Sequence, residues 1–217
     1  MTAPNIGNPT HPAVTNQLRL PRTAALGPGR GGQQRLLIDA PAGAAEIYLH
    51  GATVTSWVPR GASEVIFTSR QAVFDGATAI RGGIPLCLPE FGVGINGDAV
   101  PKHGWARIAP WQLRMVASTD DGGVRALLSV SRDHLTALYE VEIGETLRLG
   151  LSLRNDGNAP RTVEAAAHTY LSVHDVTASL ISGLAGASYS DNLAHSPQEA
   201  HRVQDGDVRI SGPVDRI

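Results

Sequence analysis

Three groups of polar side chains stand in otherwise apolar surroundings and have types suited to acid–base or anion-binding chemistry. Arg81 belongs to the stretch AIRGGIPLCLPEFG at 79–92, KHGWAR occupies 102–107, and HTY occupies 168–170. Guanidinium groups bind phosphate through paired hydrogen bonds, and an imidazole can transfer a proton near neutral pH. If the fold brings the three groups together, they predict a site for an anionic substrate with a proton donor beside it.

Each group taken alone has a simpler interpretation. Arg81 is typical of a solvated loop charge, His103 of a turn residue, and His168 of a core histidine held by a hydrogen bond. Their joint occurrence favours chemistry, because Arg81, Lys102 and Arg107 can converge on one anion. Trp105 in the second group is as typical of a packing anchor as of a platform for a sugar ring.

Motifs for other kinds of chemistry are weak. The pattern G-x-G-x-x-G occurs at 27–32 and 92–97, but no helix signal follows either copy, and a pyrophosphate site needs that helix N-terminus. His168 and His174 are too far apart on an extended strand to share a metal. The single cysteine, Cys87, excludes an intrachain disulfide and is expected to be a small buried hydrophobic residue. We therefore predict no cofactor and no metal.

Composition narrows the class of partner. The 217 residues carry a formal net charge of −2, which gives no basic face for nucleic acid or an anionic membrane. No apolar run approaches the roughly 20 residues of a membrane helix, and the N-terminus has no signal-peptide pattern. We expect a cytoplasmic monomer that binds a small molecule. Residues 1–32 contain five prolines and five glycines and predict a flexible leader.

The elements that must position these groups are strands. In TLRLGLSLRNDG (146–157) every second residue is a leucine, and a turn signal follows. Similar short patterns, such as those at 64–67 and 162–173, recur at intervals of about 8–12 residues from Gln33 onward and predict further strands. No window predicts a long amphipathic helix. The fold class is therefore all-β, with two packed sheets. Residues 69–110 lack a clear strand pattern and contain two of the three polar groups, as expected of a functional loop.

Five stretches in this order resemble the aldose 1-epimerase (mutarotase) superfamily, and within it the glucose-6-phosphate 1-epimerase branch. The RGG-IP and HG-aromatic-AR forms favour the sugar-phosphate branch over the free-galactose branch. The stretches are LHGATVTSW (49–57), AIRGGIPLCLPEFG (79–92), PKHGWARIAPW (101–111), AAHTYLSVHDV (166–176) and VDRI (214–217).

The resemblance implies a galactose-mutarotase-like β-sandwich over residues 33–217 that interconverts the α and β anomers of a hexose 6-phosphate. In the family a glutamate takes the anomeric hydroxyl proton while a histidine protonates the ring oxygen. The ring then opens, and closure from the other face inverts C1. By the HTY motif, the histidine acid is His168. The substrate-binding residues that the resemblance implies are Arg81, Lys102, His103, Arg107 and Asp215.

Three departures from the family pattern qualify that expectation. Lys102 stands where a glutamine or small residue is usual, and Glu90 stands where the family has an apolar residue. No glutamate matches the family's base, and Glu164 lies about 13 Å from His168 on an extended strand. We therefore expect a sandwich incomplete at its C-terminus, with the base beyond residue 217. The alternatives are an inactive sugar-phosphate-binding or regulatory protein, or a non-functional remnant.

Overall fold

Two four-stranded antiparallel sheets form the body of the fold. The computed structural model describes residues 18–217. The first sheet consists of β1 (Ala24–Pro28), β2 (Gln34–Ala40), β3 (Gly43–Tyr48) and β4 (Thr53–Pro59), in that order. After the short strand β5 (Leu86–Cys87), the second sheet consists of β6 (Gln112–Ser118), β7 (Val124–Arg132), β8 (Leu135–Ile143) and β9 (Leu147–Asn155), again in chain order.

Shorter elements complete the described part of the chain. The remaining strands are β10 (Ala166–Ala167), β11 (Leu180–Ile181), β12 (Ser188–Ser190), β13 (His201–Val203) and β14 (Val208–Arg209). The helices are three 3₁₀ turns, Arg30–Gly32, Ala106–Ile108 and Val176–Ala178, and α1 (Pro197–Ala200). None of the helices formed by residues 18–217 has the length and hydrophobicity to cross a membrane.

The alternation in β8 and β9 accounts for the second sheet. In β8 the side chains of Ala137, Tyr139 and Val141 are buried, whereas Leu138 and Glu140 between them are exposed. β9 pairs with β8 without a break, as its alternating leucines predict. Its apolar face is only partly covered, however, and Leu153 is 39% exposed.

The two sheets pack face to face through one hydrophobic core. Leu36 and Ile47 of the first sheet share a buried cluster with Tyr139 of the second. The Trp57 indole Nε1–H also donates a hydrogen bond of 3.2 Å to the carbonyl of Gly144, which joins the sheets at one end. Burial of each large apolar side chain stabilises such a core by about 1.5–3 kcal/mol. The predicted all-β, mutarotase-like sandwich is confirmed.

The segment predicted as a flexible leader contributes a strand to the first sheet. β1 pairs antiparallel with β2, from Ala24 opposite Ile38 to Pro28 opposite Gln34. It is an edge strand, where a proline is tolerated because the missing donor faces away from the ladder. The five residues of β1 have no alternating pattern and gave no strand signal. The strand therefore forms through its pairing with β2. The predicted leader's residues 1–17 lie outside the described residues.

Two predicted strands are mostly irregular. Residues 64–67 contribute one isolated bridge, between Ile66 and Leu171, and residues 162–173 contribute only β10 and that bridge. Their amides bond to each other and to loop carbonyls: the Phe67 N–H donates to the Tyr170 carbonyl at 2.9 Å, and the Tyr170 N–H donates to the Gly83 carbonyl at 2.9 Å. These segments are extended, but they run beside the long loop rather than within a regular sheet.

Candidate functional site

The first polar group is fixed to the sheet by two glycines. Gly82 and Gly83 have φ of 107° and 73°, and a Cβ at Gly82 would lie 2.6 Å from the Phe67 carbonyl oxygen. Only glycine tolerates both that conformation and that approach. The residues from Ile84 to Leu88 are buried against the core, while Arg81 remains exposed at its edge. The apolar run therefore anchors the loop, and Arg81 is its polar end.

The second group is bound to the end of the first. The Leu88 N–H donates to the His103 carbonyl at 3.2 Å, and the Ala106 N–H donates to the Leu88 carbonyl at 3.0 Å. Gly104 has φ of 69°, and a Cβ there would collide with the Leu88 carbonyl. Trp105 is 5% exposed within the hydrophobic core. Of its two interpretations, the structure supports the packing anchor.

The third group lies beside the first because a short two-stranded sheet, β10 with β5, joins their segments. Ala166 of β10 is opposite Cys87 of β5. Beyond that pair, the His168 N–H donates to the Pro85 carbonyl at 3.0 Å, and the Tyr170 N–H donates to the Gly83 carbonyl at 2.9 Å. The backbone of HTY is thus held beside RGGIP, although 87 positions separate Arg81 from His168 in the sequence.

These contacts bring four of the six predicted site residues around one cavity of about 670 Å³. Arg81, His103, Arg107 and His168 all line it, together with Tyr170. The rest of its wall comes mainly from residues 71–80, which form no strand or helix. A cavity of this size is in the ordinary range for small-molecule sites.

Lys102 and Asp215 do not line this cavity. Lys102 is exposed beside it, and its carbonyl accepts a 2.8 Å hydrogen bond from Nη2 of Arg107. Asp215 is also exposed, and its Oδ1 accepts a 3.1 Å hydrogen bond from Nδ2 of Asn192. The substrate-binding roles of these two residues remain predictions.

The two histidines differ in their surroundings. His103 is partly buried, and its Nδ1 accepts a 3.1 Å hydrogen bond from the Gly92 N–H, so the neutral ring carries its proton on Nε2. Burial, then the charges of Arg107, His168 and Lys102, lower the pKa of His103. His103 is therefore a neutral hydrogen-bond donor at physiological pH.

His168 is exposed and has aromatic neighbours on both sides. Its ring stacks on Tyr170, with centroids 4.9 Å apart, and meets His103 edge to face at 6.1 Å. These contacts orient the imidazole, and no group among residues 18–217 makes a hydrogen bond to either ring nitrogen. Both nitrogens are therefore available to a ligand, which suits a group that transfers protons.

Arg107 carries an unsatisfied donor. Its Nε is buried and has no hydrogen-bond partner among residues 18–217. A buried cationic donor without an acceptor is costly. Arg107 also lines the cavity, so its positive charge is available to an anion bound there.

The carboxylates of residues 18–217 lie outside this cavity. None of the described Asp or Glu residues lines it; Glu90 and Glu164 instead line a neighbouring cavity of about 420 Å³, with Asp98 and Arg161. Glu164 holds the chain directly after Glu90, because its Oε2 accepts a 3.3 Å hydrogen bond from the Phe91 N–H. Neither glutamate is placed to act as a base beside His168.

Sequence reasoning missed part of the cavity wall. Tyr170 stood in the quoted HTY group, but nothing in its type indicated a stack on His168. The segment 71–80 had no pattern at all, since loop contacts and not periodicity hold it. Cys87 also lines the cavity, and burial raises the pKa of its thiol, which keeps it neutral. No cluster of three or more His, Cys, Asp or Glu suited to a metal occurs within residues 18–217.

Comparison with known proteins gives a consistent result. Residues 34–208 match the family described as aldose 1-epimerase. The chain is 30% identical over 191 residues to a Salmonella typhimurium protein named "Putative glucose-6-phosphate 1-epimerase", covering 84% of this chain and 62% of that protein. A Cenchrus ciliaris protein of the same name is 32% identical over 190 residues, covering 80% of this chain and 56% of that protein.

A solved structure shares the fold. It is that of a "putative mutarotase" from Salmonella typhimurium, which superposes with a TM-score of 0.79 at 27% identity and covers 92% of this chain and 67% of that one. The chain spans about three fifths of the length of the curated relatives it matches.

Proposed function

The chain belongs to the aldose 1-epimerase family, and from this premise we propose that it serves the interconversion of the α and β anomers of a hexose 6-phosphate. One observation carries the proposal. Arg81 and Arg107 line the same cavity as His103 and His168, and no carboxylate from the described residues lines it. The names of the relatives from Salmonella typhimurium and Cenchrus ciliaris support the same substrate class.

The arginines account for the phosphate. A guanidinium presents a planar fork of donors that matches two phosphate oxygens. Arg107 lines the cavity, and Arg81 is exposed at the cavity edge. Lys102 is exposed next to the cavity and adds positive potential without lining it. A neutral sugar would leave these charges unused.

The histidines account for the ring-opening step. His168 gives a proton to the ring oxygen as the C1–O bond breaks, and takes it back when the ring closes on the other face of C1. His103, held as the neutral Nε2–H form by the Gly92 amide, donates a hydrogen bond to a sugar oxygen. An acid placed in this way contributes about 10²–10⁴-fold to such a reaction.

The reaction also needs a base for the proton of the anomeric hydroxyl. Because none of the described carboxylates lines the cavity, a second function has specific support: binding of the sugar phosphate without turnover. The two functions share the cavity and differ only in the base.

Saturation-transfer NMR of glucose 6-phosphate separates these functions. Exchange between the anomers faster than in buffer, with the 217-residue chain, establishes the epimerase. Binding without faster exchange, in a chain that continues past residue 217 to include the expected base, establishes the second function. If the protein neither binds glucose 6-phosphate nor accelerates its exchange, both proposals are wrong.

A further inference from the structure

One wall of the candidate cavity is held from outside by the turn that follows β1. We call residues 70–80 the wall segment; it supplies Gln71 and Val73 to the cavity, as well as residues 77–80. Within it, the Asp75 carboxylate accepts hydrogen bonds from the Ala77 and Thr78 amides at 2.8 and 2.6 Å. The segment has no strand or helix, so contacts with its surroundings fix its position.

Arg30 makes several of these contacts. Its Nη2 donates to the carbonyls of Arg70 and Ala72 at 3.2 and 3.4 Å. Its guanidinium carbon lies 4.3 Å from the centroid of the Phe74 ring, a cation–π distance. Phe74 in turn packs on Tyr48, whose hydroxyl accepts the Arg30 backbone N–H at 2.8 Å. One arginine thus links the first sheet to the wall segment.

The backbone of the turn is shaped for this contact. Gly31 has φ of 60°, and a Cβ there would collide with the Phe74 carbonyl. Gly29 has no room either, because a Cβ would collide with the Tyr48 hydroxyl. The turn therefore lies directly on the wall segment, and its two glycines let Arg30 reach across it.

We propose that Arg30 is a positioning residue that fixes the wall segment and thereby sets the affinity of the cavity for its ligand. Arg30 does not line the cavity, so it acts through residues 70–74. The part of this inference that concerns affinity rests on the proposed function, with glucose 6-phosphate as the ligand. The part that concerns the wall segment does not.

Arg30→Ala tests the contact in the free protein by hydrogen exchange. Loss of hydrogen bonds to two carbonyls and of the aromatic contact lets the segment open, so peptides covering 70–80 exchange about tenfold faster. Arg30→Lys keeps the charge but loses the planar guanidinium. Its peptides covering 70–80 therefore exchange faster than those of the wild-type protein and slower than those of Arg30→Ala. Arg154→Ala, which removes an exposed arginine of β9 paired with Asp156, leaves these peptides unchanged. Unchanged exchange in Arg30→Ala overturns the proposal.

Titration with glucose 6-phosphate gives the second readout. Arg30→Ala weakens the affinity about three- to tenfold, with anomer exchange at saturating ligand changed much less, because the acid is untouched. If Arg30→Lys restores wild-type affinity while its wall segment still exchanges rapidly, the effect is one of charge, and the positioning role is wrong. If the wild-type protein does not bind glucose 6-phosphate, the proposed function fails, and hydrogen exchange alone decides the role of Arg30.

Discussion

Two neighbouring cavities have opposite charge, although one short segment contributes to both. Pro85 and Cys87 line the cavity that contains Arg81 and Arg107, whereas Pro89 and Glu90 line the other. The second cavity also has Asp98 and Glu164, with Arg161 as its cation. A few residues along the chain thus separate a basic wall from a mainly acidic one.

The division decides where an anion can bind. Two unit charges 4 Å apart interact by about 4 kcal/mol at the effective dielectric of a protein surface, so a phosphate is drawn to one cavity and repelled from the other. One carboxylate of the acidic cavity has a structural use: Glu164 accepts the Phe91 N–H through Oε2 at 3.3 Å, and the backbone N–H of Glu164 donates to the Pro89 carbonyl at 2.8 Å. The proposed chemistry therefore belongs to the basic cavity.

The largest expected effect is on the rate of anomer exchange, which should depend on the basic cavity and not on the acidic one. If the chain accelerates anomer exchange, His168→Asn slows that exchange by at least about 10²-fold, as loss of a general acid does. Saturation-transfer NMR measures it. The matched control is Glu90→Gln in the acidic cavity, which leaves the rate within about twofold. A rate that falls with Glu90→Gln and not with His168→Asn would move the chemistry to the other cavity.

The next effect concerns ligand affinity. Arg107→Ala removes a cation from the cavity wall and weakens glucose 6-phosphate binding by about 10- to 150-fold, the range for hydrogen bonds to charged groups. Arg161→Ala, in the acidic cavity, has no such effect. Isothermal titration calorimetry measures both, and equal losses in the two variants would show that the basic cavity is not the anion site.

A smaller effect distinguishes structural from functional carboxylates. Glu164→Ala removes the acceptor of the Phe91 N–H and lowers the free energy of unfolding by about 1–2 kcal/mol. Because Glu164 does not line the basic cavity, affinity for glucose 6-phosphate stays within about twofold. Denaturant unfolding and calorimetry measure the two quantities. A large loss of affinity with unchanged stability would reverse the assignment.

The smallest effect is one of pH on stability. Burial and the charges of Arg107, His168 and Lys102 hold the pKa of His103 below 6.5, so the unfolded chain binds this proton more readily. The contribution of neutral His103 to the free energy of unfolding is fully present above pH 6.5. It is lost as the pH falls from 6.5 through the lowered pKa of the folded protein. In His103→Asn the dependence on pH between these two pKa values becomes shallower. If the free energy of unfolding falls equally with decreasing pH in the wild-type protein and in His103→Asn, this prediction is wrong.

The sequence predicted the regular half of the molecule better than the irregular half. The alternation in Leu147–Leu153 identified β9, because period two is a property of a strand whatever it pairs with. β1 and the wall segment gave no signal, since their hydrogen bonds go to residues far along the chain. The same limit affected residues 162–173, where the amides of His168 and Tyr170 bond to loop carbonyls.

The chemical types of the residues predicted the cavity lining better than their positions along the sequence did. Arg81, His103, Arg107 and His168 were identified as chemical groups and lie around one cavity. Neighbourhood in sequence does not give the position of Glu90, which directly follows the anchoring run but lines the acidic cavity. The direction in which a loop side chain points depends on non-local contacts, here those of Pro89 and Phe91 with Glu164, which no local pattern shows.

The central claim is that the basic cavity binds a sugar phosphate through its phosphate group. Calorimetric titration of the protein with glucose 6-phosphate and, separately, with glucose tests it most directly. Two arginines on the wall predict that the phosphate ester binds at least about 30-fold more tightly than glucose, and that the preference shrinks as salt is added. Equal affinity for the two sugars at low salt would contradict the claim.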